Sequence, residues 1–184
     1  MFKIILITFA VLLTGFIVVV ALQPSEFRIT RSASIAAPPE AVFAQVNDFH
    51  KWEAWSPWAK LDPAAKNSFA GPSEGVGAAF SWAGNHEVGE GRMVITESRP
   101  AELIRLDLDF VKPMKARNVT EFTFKPEGDH TVVTWTMSGT NNFLGKAVGL
   151  VMNCEKMVGG SFEQGLANIK NLTEPTAAAR TAGL

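Results

Sequence analysis

The sequence predicts an α+β domain: an antiparallel sheet covered on one face by a long C-terminal helix and preceded by one transmembrane helix. Three observations carry this. An uncharged apolar run fills residues 4–22. About six segments between residues 27 and 138 alternate apolar and polar side chains with period two and are separated by turn chemistry. Residues 143–172 contain no proline and repeat their apolar side chains at helical spacing.

The apolar run "IILITFAVLLTGFIVVVAL" is nineteen residues long, broken only by two Thr and one Gly. At roughly 1.5 Å per residue it makes a helix of about 28 Å, close to the hydrocarbon thickness of a bilayer. A cleaved signal peptide is the competitor, but its apolar region is shorter and ends in small residues, which "VVALQ" matches poorly. The run therefore reads as an uncleaved anchor. Lys3 precedes it and Arg28 and Arg31 follow it, so the positive charges nearly balance and lean toward the N-terminus inside, the domain outside the cytoplasm. Residues 1–26 are read as anchor and short linker, 27–172 as the domain, and 173–184 as a disordered tail with nothing to bury.

After the linker, "FRITRSASI" (27–35) sets Phe27, Ile29, Ala33 and Ile35 against polar neighbours, with Arg31 the exception on the apolar side. "APPEAVFAQVNDF" then opens with prolines where a helix's first turn tolerates missing amides and puts Val42, Phe43, Val46 and Phe49 on one face. Next comes "NDFHKWEAWSPWAK", with Trp52, Trp55 and Trp58 within seven residues of a chain holding five tryptophans and no tyrosine. Trp52 and Trp55 share a face if "HKWEAW" forms a helical turn, and Pro57 ends that turn. Strands are expected at 76–83, 88–98, 103–110, 116–125 and 131–138; in "LIRLDLDF", Ile104, Leu106, Leu108 and Phe110 oppose Arg105, Asp107 and Asp109. One apolar face per strand demands a cover, and the last segment alone is long enough to supply it. Its glycines, Gly145, Gly149, Gly159, Gly160 and Gly165, each cost up to about 1 kcal/mol in a helix interior and point to a close backbone approach or a bend.

Composition excludes several function classes. The length of 184 residues suits one domain with a full core, and a net charge of −1 gives no basic field for nucleic acid. Cys154 is alone, so neither an internal disulfide nor a zinc site follows, and no metal or cofactor is expected. His50, His86 and His130 stand in polar or turn contexts without ligand spacing. No P-loop, complete dinucleotide fingerprint or nucleophile elbow is present, and "NVT" at Asn118 and "NLT" at Asn171 fall in predicted strand and helix, which discounts glycosylation.

The stretches "SIAAPPEAVFAQVNDFHKWEAWSPW", "GEGRMVI", "TVVTWTMSG" and "GGSFEQGLANIKN" resemble the SRPBCC superfamily, the START-like or helix-grip proteins, in the polyketide cyclase/dehydrase-like branch. The resemblance implies a curved antiparallel sheet wrapped around the C-terminal helix, with an apolar cavity between them holding a lipid or another hydrophobic molecule. Candidate lining residues are Trp52, Trp55, Trp58, Phe80, Trp82, Met93, Leu106, Leu108, Phe122, Phe124, Trp135, Met152 and Met157, which serve equally as solid core. For the tryptophans a mixed outcome is expected, one ring toward the cavity and two in the shell. Arg31 and Glu90 are the polar candidates, each alternatively a satisfied edge residue; Cys154 reads as a core filler and no catalytic residue is assigned. The function expected is a monomeric, membrane-anchored binding protein for a hydrophobic small molecule. The alternatives are a cyclase or dehydratase in the same cavity, and a protein-interaction domain with an exposed tryptophan patch.

Overall fold

The structure, a computed structural model, describes residues 1–175. Helix α1 (Phe2–Leu22) leads into strand β1 (Glu26–Ile35), and helix α2 (Pro39–Val46) follows, its first turn opened by proline. The tryptophan segment forms a 3-10 turn at Phe49–Lys51, one turn of α-helix, α3 (Trp52–Trp55), and a second 3-10 turn at Pro57–Lys60. Six strands come next: β2 (Lys66–Ala70), β3 (Ala79–Ala83), β4 (Glu90–Arg99), β5 (Leu103–Lys112), β6 (Ala116–Glu127) and β7 (His130–Thr140). Two helices close the described chain, α4 (Phe143–Val151) and α5 (Cys154–Thr173).

All seven strands form one antiparallel sheet in the order β1-β7-β6-β5-β4-β3-β2. Strand β2 was not anticipated: all five of its residues are exposed, so it carries no apolar alternation to read. The long C-terminal helix is present as α5, but the helical segment expected over 143–172 is not continuous. It breaks at Met152, which is extended, and restarts because the Asn153 side chain accepts from the Lys156 N–H as an N-cap. The break leaves Met152 and Met157 exposed. Cys154, at the restart, is half-buried and no core filler.

The core lies on one face of the sheet. There Ile29, Ile35, Ile95, Ile104, Leu106, Phe122, Phe124, Val133 and Trp135 meet Val42 and Val46 of α2 and Phe162, Leu166 and Ile169 of α5. The other face is wet and ionic: Arg105 bridges Glu97 and Glu121, each at 2.8 Å, and Arg117 pairs with Asp109. Helix α5 packs on β1, α2 and the tryptophan segment. The expectation of a close backbone approach holds at two glycines. A Cβ at Gly165 would stand 2.8 Å from the Trp135 ring, and one at Gly159 would collide with the Arg31 guanidinium.

Arg31 lies on the helix-facing side, opposite Trp135 in the β1–β7 register. Its guanidinium rests over Gly159 and donates to Glu155 (2.7 Å) and Glu163 (2.6 Å), the residues one turn before and one turn after that glycine. The two carboxylates hold the Arg31 pKa above its ordinary value, through hydrogen bonds first. Arg31 thus clamps α5 to the sheet edge.

Gly160 is the natural control for this clamp, since a Cβ there meets nothing within 4 Å. Gly160→Ala is expected to raise unfolding stability by up to about 1 kcal/mol through helix propensity. Gly159→Ala is expected to gain less or to lose, because the methyl displaces the guanidinium. Equilibrium denaturation of the two variants checks this; equal gains would refute the clamp.

Candidate functional site: the concave face of the sheet

The tryptophan segment is fixed by the end of α2. The Trp52 indole N–H donates to the Val46 carbonyl at 2.9 Å, and the Trp55 N–H donates to the Gln45 carbonyl at 3.0 Å. A helix's last carbonyls have no intrahelical donors, so these two indoles supply them. From the other side Asn168 of α5 donates its side-chain N–H to the Trp55 carbonyl at 2.8 Å. Trp52 and Trp55 are buried, which removes the exposed patch that the protein-interaction reading needed. Trp58, beyond Pro57, stays half-buried and meets Trp135 and Phe162 edge-on, centroids 6.0 and 6.4 Å apart.

These rings join an aromatic layer between sheet and helix. Trp135 lies between Phe162, stacked at 4.0 Å and 7°, and Phe122 at 4.6 Å. Trp55 contacts both Phe122 and Trp135 at right angles to them, the edge-to-face arrangement that ring quadrupoles favour. One polar atom in this layer is out of place: the buried Trp135 Nε1–H finds no acceptor among the described residues. An unmade buried hydrogen bond costs about 1–3 kcal/mol, so such a donor calls for an account.

Burial is graded along the concave face. Phe124 lies under α2, edge-on to Phe43, while Leu106, Phe122 and Trp55 are fully sealed mid-sheet. Toward the end where β1 begins and β7 finishes, Met93, Leu108 and Met137 keep 8–9 % exposure. Phe27, Phe80, Trp82, Phe110 and Val158 are only half-buried. Two buried polar residues of β6, Asn118 and Thr120, sit among them, opposite Leu108 and Leu106 on β5. The interior is least sealed at this end, where apolar side chains and a few polar groups meet, the usual make-up of a small-molecule site.

The remaining predicted site residues fall elsewhere. Met152 and Met157 are exposed beyond the helix break and line no interior surface. Glu90 pairs with Lys112 at 2.7 Å across the ends of β4 and β5. Two open grooves lie on the outer face, about 560 and 410 Å³; the second includes Trp82 and Glu90. His50 stacks on Phe69 and bonds Asp48, and His86 is exposed. His130 bonds Asp129 at the β6–β7 turn, a contact that holds the Asp129 carboxyl below its ordinary range. Among the described residues no group of three His, Cys, Asp or Glu is placed to hold a metal. Sequence reasoning missed Asn118 and Thr120 as concave-face polar groups, although their period-two continuity with Phe122 and Phe124 on β6 was available to find them.

Residues 26–174 match the family described as polyketide cyclase / dehydrase and lipid transport. The chain belongs to that family. Among solved structures, protein CV1439 from Chromobacterium violaceum is similar at 18% identity, covering 83% of this chain and 99% of its own, TM-score 0.57. The Aha1 dimer from Colwellia psychrerythraea matches at 16% identity over 82% of this chain and 98% of its own, TM-score 0.58. The di-domain ARO/CYC BexL, of the BE-7585A biosynthetic pathway, matches at 17% over 85% of this chain and 52% of its own, TM-score 0.59. At these identities the likeness is one of fold, the helix-grip arrangement of sheet and C-terminal helix. Comparison with curated proteins gives no match.

Within this polyketide cyclase/dehydrase-family domain the tryptophans divide by role, and stability separates them. Trp55→Ala is expected to cost about 3–5 kcal/mol, the range for a fully buried aromatic. Trp58→Ala should cost less than half as much. Denaturant titration of both variants checks the order, and a reversal would mean that Trp58 carries the packing.

Proposed function

We propose that this chain is a membrane-anchored binding protein for a hydrophobic small molecule, lipid- or polyketide-like, held on the concave face between sheet and α5. The observation that carries the reading is the unpartnered Trp135 N–H inside an otherwise aromatic layer. A donor of that kind suits a ligand with an apolar body and one acceptor oxygen: the body gains the burial energy and the single hydrogen bond sets its orientation. The ligand enters at the less sealed end, past Phe27, Leu108, Phe110 and Met137, and reaches Trp135 when Trp58 swings off its edge contacts. The family description, which includes lipid transport, supports this.

Anchoring belongs to the same proposal. Helix α1 is long and apolar enough to cross a membrane, and Val20 is its one buried residue. A tether of this kind keeps the concave face beside the phase into which an apolar ligand partitions. We place the domain outside the cytoplasm, on a nearly balanced charge count that leans that way.

A second reading, a cyclase-type reaction in the same space, draws on Asn118 and Thr120. These are buried polar side chains on the concave face, available to position a polar chain by hydrogen bonding. It would work by shape and orientation, since the histidines lie at the periphery and Arg31 is committed to Glu155 and Glu163.

Native mass spectrometry of the full-length protein, extracted in mild detergent, is expected to retain a hydrophobic adduct. Trp135→Phe keeps an aromatic ring in the layer and deletes the donor, so it should weaken rebinding by about two- to tenfold, the worth of one neutral hydrogen bond. Persistent failure to bind any apolar compound overturns the proposal. An adduct released with altered mass favours the second reading.

A further inference from the structure

Helix α4 is a helix that the domain's own core leaves unburied. Its nine residues include none that is buried. Phe143, Leu144, Leu150 and Val151 are 50, 55, 41 and 81 % exposed, and Met152 beyond it is 46 % exposed. From Asn141 to Asn153 the only charged residue is Lys146. A helix of nine residues is marginal in water by itself, and the sheet does not hold this one. What holds it is its Asn142 cap, which accepts from the Gly145 N–H, and packing against α1.

Topology puts that packing at the membrane end. Strands β1 and β7 are antiparallel neighbours with Glu26 opposite Thr140, so the chain enters β1 from α1 and leaves β7 for α4 at the same edge. The Asn141 N–H donates to the Ser25 carbonyl at 2.7 Å, tying the start of α4 to the linker that follows α1. The exposed apolar residues of α4 therefore continue the apolar surface of α1, at the end of the domain where the concave face is least sealed.

We infer that α4 is an interfacial helix, lying in the headgroup–acyl boundary of the bilayer beside the last turns of α1, with Phe143, Leu144, Leu150, Val151 and Met152 in contact with acyl chains. The inference rests on the anchoring read above and adds a second point of membrane contact to it. Lys146 fits this setting, because a lysine stem lies along apolar surface while its ammonium reaches the headgroups. With two points of contact the domain is held in one orientation, its less sealed end toward the lipid.

The test uses the full chain in phosphatidylcholine vesicles carrying a nitroxide on the acyl chain. In a Cys154→Ser background, single cysteines at Val151→Cys, Leu12→Cys and Lys125→Cys are labelled with an environment-sensitive fluorophore, Leu12 reporting α1 and Lys125 the far end of the sheet. The Val151 label is expected to brighten and to lose most of its emission to the lipid nitroxide, as the Leu12 label does, while the Lys125 label responds to neither. Quenching at Leu12 with a water-like Val151 label leaves the anchor standing and overturns the inference. A bright Val151 label that the nitroxide does not quench means that another protein surface, a second copy included, covers α4, and overturns it too. Loss of quenching at Leu12 removes the anchor and the inference together.

Discussion

Helix α5 sits against the sheet at a distance that only glycine permits, and the stacking of Trp135 on Phe162 depends on it. Put a Cβ on Gly165 and it meets the Trp135 ring at 2.8 Å; the stack, at 4.0 Å between centroids, would have to open. Trp135 in turn gives Trp55 and Trp58 their edge contacts and packs against Phe122 at 4.6 Å. The tryptophan segment is then trapped between α5, through Asn168, and the last carbonyls of α2. One close approach thus orders the interior, and helix propensity is the cost at each glycine.

Much of this was legible in the sequence wherever one face of an element is dry. Ile104, Leu106 and Leu108 announce β5 because their partners Arg105, Asp107 and Asp109 look outward. Strand β2 announces nothing, since Lys66, Asn67, Ser68, Phe69 and Ala70 are all exposed and its place is set by pairing with β3. The glycines foreshadowed a bend, but the place of the break before α5 stayed hidden because apolar periodicity continues across it; the competing signal was the capping side chain of Asn153.

The candidate site was less legible than the fold. Which way Trp52 and Trp55 face is decided by backbone carbonyls of α2, and no local pattern carries that information. Arg31 was correctly placed on the apolar side of β1, but its partners stand 124 and 132 residues away. A trace was present all the same, in two acidic residues one turn either side of Gly159 on what becomes α5. Asn118 and Thr120 escaped notice because polar residues on a strand read as its outer face, although they continue the inward row of Phe122 and Phe124.

The edge position of β1 has a mechanical side. Its ten residues pair continuously with β7, from Glu26 opposite Thr140 to Ile35 opposite Thr131, and α1 continues from its first residue through a short link. With α1 as the proposed tether, drag on the domain is transmitted along the strand axis, across the direction of the ladder's hydrogen bonds. Those bonds share the load in shear instead of opening one after another, and the ion pairs from Arg31 to α5 add a lateral brace part-way along the loaded strand.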